Sequence, residues 1–288
     1  MLDGHVLVDA HVHVPRLPTL APAWLDWARE FGRPGVLEDV WDADGAPRPE
    51  RLEALLVDEG VDVALLFCEY SPKATGYQAF DDLLPLVEHN PRLFRPVANV
   101  NPHLHFPVAS EVERQLDLGA AALKLHPVHG GFRVDDPALW SVYEVVQGRG
   151  VPLVVHCGTS TFPGSQNEMA DPSFLFPVLR AFPDLHVVLA HGGRGWWYEA
   201  AAFLALSHER VWIELSGLPP KRLPTYYARH DLARLARKFV FGTDWPGVPG
   251  TAANARAVAG LGLPDDVVPR VLGRNALEVY AGLDPDLW

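Results

Sequence analysis

The chain has 288 residues, of which 48% are hydrophobic and 21% charged, an ordinary composition for a globular protein. Its net charge of -12 and the lack of any Lys/Arg cluster argue against nucleic acid as a partner, because binding to phosphates needs a basic patch. No apolar run is long enough to cross a membrane, and no signal peptide precedes the first apolar segment, so we expect a cytoplasmic protein. Cys68 and Cys157 are the only cysteines, and we expect both to be reduced.

Eight short apolar segments with the pattern of buried strands alternate along the chain with longer amphipathic segments. We predict strands at 6–10, 61–67, 94–100, 121–125, 152–155, 186–190, 211–215 and 238–241. We predict helices at 50–58, 78–89, 107–118, 137–149, 172–182, 196–207 and 226–237. Apolar strands that are each followed by a helix favour a parallel sheet covered on both faces. Eight such units predict a single (β/α)8 TIM barrel over residues 1–288, with an open doubly wound sheet as the alternative.

The segment 15–49, which follows the first predicted strand, is much longer than an ordinary loop. It carries four large aromatic residues, Trp24, Trp27, Phe31 and Trp41. We predict that this segment is an insertion that forms a lid over the mouth of the barrel.

Polar residues suited to binding a metal or a substrate lie at or just beyond the carboxyl ends of the predicted strands. They are His11, Glu69, Asn101, His126, His156, His191, Ser216 and Asp244. Barrels of this kind build their active sites at that face, from the ends of several strands. His11 and His13 are two residues apart, so in a strand both imidazoles face the same side and form half of a divalent-metal site. The sequence therefore predicts a metal centre at the mouth of the barrel.

Six motifs occur in an order and spacing that resemble the amidohydrolase superfamily. They are Asp9-Ala-His11-Val-His13, Ala122-Leu-Lys-Leu-His-Pro127, Leu153-Val-Val-His156, Val188-Leu-Ala-His-Gly-Gly193, Phe241-Gly-Thr-Asp-Trp245 and Gly273-Arg-Asn-Ala276. The branch that they resemble most is the amidohydrolase-2 group, which includes aminocarboxymuconate-semialdehyde and resorcylate-type decarboxylases beside hydrolases. The resemblance covers essentially the whole chain, and it is specific for the superfamily but not for the substrate.

The resemblance implies that His11, His13, His156 and Asp244 bind a divalent metal and that His191 lies close to its water. Imidazole and carboxylate ligands suit zinc best, with manganese, iron and cobalt as alternatives. Asp244 would also take a proton from the water, and His191 would steady the developing oxyanion or protonate the leaving group. Asp9 is expected to orient its strand or to accept a hydrogen bond from a ligand imidazole.

Lys124 leaves the number of metal ions open. In binuclear members of the superfamily a lysine at the end of the fourth strand is carboxylated and bridges two metals, in which case His156 and His191 would hold the second ion. The amidohydrolase-2 branch is mostly mononuclear, and we therefore expect one metal per chain. An unmodified, buried Lys124 would need a carboxylate partner such as Glu69 or Asp244.

Substrate contacts are predicted from residues that follow the strands. Glu69 and His126 are expected to line the pocket, Arg133 to bind a substrate carboxylate, and Trp245 to contribute to an aromatic mouth. Arg194 and Lys221 are further candidates for binding a carboxylate. The partner is expected to be a small molecule, without nucleic acid or membrane, and homo-oligomerisation is left open.

Two reactions fit these residues. The leading hypothesis is a metal-dependent hydrolase that acts on an amide, lactone or ester-like bond of a small organic or aromatic acid. The alternative is a metal-dependent, non-oxidative decarboxylase of a small aromatic or unsaturated carboxylic acid. A barrel retained only for binding is disfavoured, because every expected ligand position holds a suitable residue.

Overall fold

The computed structural model describes residues 1–280 and 282–283, and within them eight parallel strands form one sheet. In sheet order the strands are β1 (Val8–His13), β2 (Val63–Phe67), β5 (Phe94–Asn99), β6 (Leu123–Leu125), β7 (Leu153–Gly158), β8 (Val187–Arg194), β9 (Val211–Glu214) and β10 (Phe239–Val240). The last and first strands meet where the Ala10 N–H donates to the Phe241 carbonyl (3.1 Å) and the His13 N–H to the Trp245 carbonyl (2.8 Å). The prediction of a single (β/α)8 TIM barrel is therefore confirmed.

Helices connect and surround the strands. They are α1 (Pro22–Phe31), α2 (Val36–Val40), α3 (Pro49–Asp58), α4 (Leu84–His89), α5 (Val108–Asp117), α6 (Pro127–Gly130), α7 (Trp140–Gly148), α8 (Leu175–Ala181), α9 (Tyr198–Ser207), α10 (Leu223–Tyr226), α11 (Leu232–Ala236), α12 (Thr251–Ala259) and α13 (Asn275–Val279). No helix in the described part of the chain is long and apolar enough to span a bilayer.

Alternate residues along each strand face opposite sides of the sheet, as the two-residue period of a strand requires. In β2, Val63, Leu65 and Phe67 belong to one buried apolar cluster, whereas Ala64 and Leu66 belong to the cluster that also contains residues of the surrounding helices. The first cluster fills the interior of the barrel beneath the carboxyl ends of the strands. This alternation decides which polar residues of the later strands can reach the mouth.

Two predicted helices differ from the structure. The predicted helix at 226–237 is instead α10 and α11, because Asp231 ends the turn between them and accepts a hydrogen bond from the Arg234 N–H as the N-cap of α11. The predicted helix at 78–89 begins later, as a 3-10 turn at Phe80–Leu83 that leads into α4. A small antiparallel hairpin, β3 (Glu69–Ser71) and β4 (Gly76–Gln78), precedes it and was not predicted.

The segment 15–49 contains α1 and α2 and packs against the end of the barrel. The Trp41 indole N–H donates to the Pro15 carbonyl (2.6 Å), and its ring stacks on that of Trp245 with centroids 5.6 Å apart. Trp24 of α1 is buried. The long connection is therefore a folded insertion beside the mouth of the barrel.

Candidate metal centre and substrate pocket

A cavity of about 860 Å³ opens at the carboxyl ends of the barrel strands. His11, His13, His156, His191 and Asp244 all line it, so the structure brings the predicted metal ligands and His191 to one place. Much of the remaining wall is apolar and includes Trp24, Trp27, Phe31, Phe162, Leu218 and Val248. A polar group of ligands therefore sits in an otherwise largely apolar cavity, the usual composition of a small-molecule site.

Three imidazoles approach the carboxylate of Asp244. Its Oδ1 lies 3.3 Å from His13 Nε2 and 3.6 Å from His11 Nε2, and its Oδ2 lies 4.0 Å from His191 Nδ1. Two atoms that bind the same zinc ion at ~2.1 Å lie about 3 to 4 Å apart. The spacing of Asp244 Oδ1 from His13 Nε2 and His11 Nε2 therefore fits a shared divalent ion.

His156 supplies a further nitrogen with a free lone pair. Its Nε2 bonds to the Gly158 carbonyl (3.0 Å), while its buried Nδ1 has no hydrogen-bond partner among the described residues. Its ring packs against that of His191, with centroids 4.3 Å apart. A buried nitrogen without a partner is costly, and a metal ion would use its lone pair. The donor set thus fits the metal that the sequence predicts.

Glu214 orients His11, and sequence reasoning missed it. Its Oε2 accepts a hydrogen bond from His11 Nδ1 (2.9 Å), which leaves the Nε2 lone pair of His11 on the side of Asp244. The carboxylate also accepts from the Ser216 N–H (2.6 Å) and hydroxyl (2.7 Å). A carboxylate behind a ligand imidazole is the usual support of a metal-binding histidine. The signal in the sequence was an acidic residue within the otherwise apolar strand β9.

Asp9 has only one of its two expected roles. Its carboxylate accepts hydrogen bonds from the Thr243 N–H (2.9 Å), the Thr243 hydroxyl (2.7 Å) and the Thr251 hydroxyl (3.1 Å), and burial raises its pKa to about 7. It accepts none from a ligand imidazole among the described residues. Asp9 therefore ties β1 to the loop that carries Asp244 and positions the two strands that close the barrel.

The backbone is strained at two predicted catalytic residues. His191 and Asp244 have φ values of 64° and 73°, and Asp3 is the only other non-glycine residue with positive φ in the described part of the chain. This left-handed conformation costs roughly 1 kcal/mol or more for a residue with a side chain, and such strain concentrates at functional sites. The surrounding barrel holds both side chains toward the cavity despite that cost.

The charge state of the ligands suits a divalent cation. Burial lowers the pKa of His11, His156 and His191 well below the usual value, so these rings are neutral and can offer a lone pair. Burial alone would raise the pKa of Asp244, but the hydrogen bond from His13 and the charge of Arg194 help to hold it well below its ordinary range. Neutral imidazoles around an ionised carboxylate are the ligands that zinc binds.

Lys124 lies beneath this group. Its amine is buried, has no hydrogen-bond partner among the described residues and stands 5.0 Å from the centre of the Phe67 ring. Burial lowers its pKa to about 8, although the charges of Glu214, Asp244 and Glu69 oppose that shift. The described carboxylates include none in a salt bridge with Lys124, so the expected pairing with Glu69 or Asp244 is not formed. One metal per chain remains the prediction, with a carboxylated Lys124 and two metals as the alternative.

A second polar cluster forms another part of the wall. Glu69 Oε1 accepts from His129 Nδ1 (2.7 Å) and the Thr75 hydroxyl (2.7 Å), and it lies 3.7 Å from His126 Nε2. The His126 ring stacks between those of His129 (3.8 Å) and His156 (4.1 Å). Glu69 and His126 therefore lie in the pocket, as expected. Sequence reasoning missed His129, whose only signal was its place three residues after His126.

Two predicted substrate contacts lie outside the cavity. Arg133 is half exposed, pairs with Asp135 (2.7 Å) and stacks on the Phe174 ring (3.8 Å). Trp245 is buried against Trp41. The structure does not bring either side chain to the lining of the cavity, because local partners hold both elsewhere. Arg194 and Lys221 do line it.

Comparison with solved structures identifies the same barrel in other proteins. An uncharacterised TIM-barrel protein from Bordetella bronchiseptica has a TM-score of 0.76 and 20% identity, covering 95% of this chain and 97% of that one. 5-Carboxyvanillate decarboxylase from Novosphingobium aromaticivorans, solved with manganese, has a TM-score of 0.64 and 14% identity (96% and 97% covered). A probable 2-pyrone-4,6-dicarboxylic acid hydrolase from Acinetobacter baumannii has a TM-score of 0.64 and 15% identity (95% and 98% covered).

At these identities the similar structures establish the fold and leave the reaction open. A search of curated protein sequences gives no match. The family model described as amidohydrolase matches residues 8–282, which includes all five candidate residues at the metal centre. The chain therefore belongs to the amidohydrolase family.

Proposed function

We propose that this amidohydrolase-family enzyme is a metal-dependent hydrolase that cleaves an amide, lactone or ester-like bond of a small organic or aromatic acid. The observation that carries the proposal is the convergence of His11, His13 and His191 on the Asp244 carboxylate, within 4.0 Å, at an enclosed cavity. Apolar walls and a few converging polar groups suit a small molecule that is held away from bulk water.

His11, His13, His156 and Asp244 would hold one divalent ion, with zinc as the best match to these ligands and manganese, iron or cobalt as alternatives. When bound, the metal would supply Lewis acidity and lower the pKa of water toward neutrality. Glu214 would keep the His11 tautomer that presents Nε2 to the ion, because its carboxylate occupies the Nδ1 side.

Asp244 and His191 would move the protons. Asp244 Oδ2 faces away from His11 and His13 toward His191, and as an ionised oxygen it can accept the proton of the attacking water. His191 then lies beside the reacting bond, where it can stabilise a developing oxyanion or protonate the leaving group. Arg194 provides a cation in the cavity wall for the carboxylate of an organic acid.

Decarboxylation of an aromatic acid is the second candidate. The observation in its favour is the aromatic wall of Trp24, Trp27, Phe31 and Phe162, which suits a flat ring. Proteins of similar fold include decarboxylases of aromatic acids, such as 2,6-dihydroxybenzoate decarboxylase. In that reaction an acidic group of the cavity would protonate the ring carbon that loses carbon dioxide.

A substrate screen separates the two reactions. Zinc-loaded protein is incubated with lactones, amides and esters of aromatic acids and with hydroxybenzoic acids, and ring-opened or cleaved acid and released carbon dioxide are both measured. Hydrolysis products without carbon dioxide support the proposal, and carbon dioxide release from hydroxybenzoates overturns it in favour of the second candidate.

Asp244→Asn tests the role of Asp244 on any substrate that the screen finds. The change keeps the shape and one coordinating oxygen but removes the basic oxygen, so turnover should fall about 100- to 10,000-fold while the protein stays folded. Asp184→Asn, at an exposed side chain, serves as the matched control and should retain activity. Near-normal turnover of Asp244→Asn would show that Asp244 is not the proton acceptor.

A further inference from the structure

Glu69, His129 and Ser160 form a connected chain of hydrogen bonds in the wall of the cavity. His129 Nδ1 bonds to Glu69 Oε1 (2.7 Å), and His129 Nε2 bonds to Ser160 Oγ (2.8 Å). All three side chains are buried, and all three line the cavity. A carboxylate, an imidazole and a hydroxyl joined in this order through the two ring nitrogens have the geometry of a hydrolytic triad, which is recognised by arrangement and not by order in the chain.

The direction of each hydrogen bond follows from the partners. Glu69 also accepts from the Thr75 hydroxyl (2.7 Å), so its Oε1 is an acceptor toward both neighbours. His129 therefore carries its proton on Nδ1 and leaves the Nε2 lone pair for Ser160. An acceptor at Nε2 is what a serine needs to lose its proton when it attacks.

The surroundings of Ser160 direct its hydroxyl proton to His129. Ser160 Oγ accepts from the Ser165 hydroxyl (3.0 Å) and from the Phe162 N–H (3.3 Å), so its own proton is left to donate to His129 Nε2. Those two donors also stabilise negative charge on Oγ. The N–H of Thr161, the next residue, makes no hydrogen bond among the described residues, and in α/β-hydrolases the N–H at this position helps to bind the oxyanion.

We propose that Ser160 is a nucleophile, activated by His129 and Glu69, and that the cavity holds a second reactive centre for activated esters of small apolar acids. Ser160 Oγ would attack the ester carbonyl carbon, its proton passing to His129 Nε2. The ester C–O bond would then break, the alcohol leaving with that proton, and water would later release the acid from Ser160. This inference does not rest on the metal chemistry, because no residue of the triad is among the proposed ligands.

A fluorophosphonate probe tests the proposal without knowledge of the substrate. Ser160 Oγ would form a bond to phosphorus, the P–F bond would break and fluoride would leave, with the serine proton passing to His129. Intact mass should show one adduct per chain, and peptide mapping should place it on Ser160. Protein treated with a chelator should react equally, which separates this centre from the metal centre.

Variants test the two supporting residues. Ser160→Ala should form no adduct, and His129→Gln should react at least about 100-fold more slowly, as expected for loss of a general base. Glu69→Gln should react more slowly than wild type, by about 10-fold at most. Ser173→Ala, at an exposed serine outside the lining of the cavity, should retain the rate, and thermal unfolding of each variant should confirm that it is folded.

Three results would overturn the proposal. The first is wild-type protein with no adduct on Ser160, which needs no variant to interpret. The second is a His129→Gln protein that reacts as fast as wild type, since Ser160 would then be an ordinary serine. The third is a reaction that stops when metal is removed, because the metal centre and not His129 would then activate the residue.

Discussion

His13 is the most exposed of the three imidazoles that approach Asp244, with 12% of its side chain accessible, and it can be changed with little loss of packing. We predict that His13→Ala lowers the bound metal from close to one ion per chain to a small fraction, because a four-residue shell loses one ligand. Elemental analysis of purified protein measures this ratio. His230→Ala, at a histidine that pairs with Glu199 away from the cavity, should keep its metal. Two ions per wild-type chain would instead favour a carboxylated Lys124.

Glu214 acts on the metal through His11. We predict that Glu214→Gln weakens metal binding about 10- to 100-fold while the fold is retained, because the amide has one acceptor oxygen for the three donors that the carboxyl group now satisfies, His11 Nδ1 among them. Competition with a chelator of known affinity gives the metal Kd. Glu199→Gln is the surface control. An unchanged Kd would show that the hydrogen bond to His11 does not tune the site.

Glu69 makes the fold sensitive to acid. Its pKa is lowered to about 2 because His129 outweighs burial, whereas in the unfolded chain it is about 4.3. A carboxyl with a lowered folded pKa stabilises the protein above its unfolded pKa and loses that contribution as the pH falls toward the folded one. The difference in free energy of unfolding between wild type and Glu69→Gln should therefore be constant above about pH 5 and shrink below about pH 4.

Urea unfolding at a series of pH values measures this difference. The comparison is made in a His13→Ala background without metal, so that titration of the metal ligands cancels between the two proteins. A difference that grows as the pH falls would contradict the assignment of Glu69 as an ionised acceptor.

At the scale of elements, α1 forms part of the cavity wall. Trp27 packs against Trp24 (5.6 Å between ring centroids) and against Phe162 of the loop after β7 (5.9 Å). Gly247, in the loop after β10, leaves room for this ring, since a Cβ there would lie 2.0 Å from Trp27. In the structure, α1 contacts two loops of the mouth. That the segment 15–49 acts as a lid remains a prediction.

We predict that Trp27→Ala weakens binding of an aromatic substrate about 10-fold, or about 1.4 kcal/mol, and leaves the metal content unchanged. Calorimetric titration with a substrate from the screen measures the Kd. Trp196→Ala is the matched control, because Trp196 is 67% exposed and lies outside the lining of the cavity. Equal affinity of wild type and Trp27→Ala would mean that α1 does not cover bound substrate.

At the scale of the whole molecule, a metal would join distant parts of the barrel. His11 and His13 end β1, His156 lies in β7, and Asp244 follows β10. Binding to the folded state alone stabilises it by ~2.7 kcal/mol when the free metal is at 100 times the Kd. We predict that chelation lowers the Tm by about 5 °C and that zinc restores it. Calorimetry measures the shift, and His13→Ala should show none; a wild-type Tm unaffected by chelation would contradict a resident metal.

Two expectations at this scale stay predictions. Cys68 and Cys157 are free and buried, and a reduced, cytoplasmic protein is the expectation from the sequence. The other expectation is a possible homo-oligomer.

Local sequence patterns were enough to predict the order of the strands, the barrel and the residue types at its mouth. These follow from local rules: apolar runs predict buried strands, and two residues of separation place His11 and His13 on one side. The same rules failed at 226–237, where the Asp231 cap starts a separate helix, and they did not predict the hairpin β3–β4.

Which side chains meet in the site could be seen only in the folded molecule. Glu214 lies 203 residues from His11, and His129 lies 60 from Glu69, and each pair is joined only because closure of the barrel brings different strands to one mouth. Arg133 follows the fourth barrel strand as a cavity residue could, yet the nearby Asp135 holds its guanidinium in solvent. Register between strands and competition among neighbouring charges are properties of the packed molecule, and no local pattern in the sequence records them.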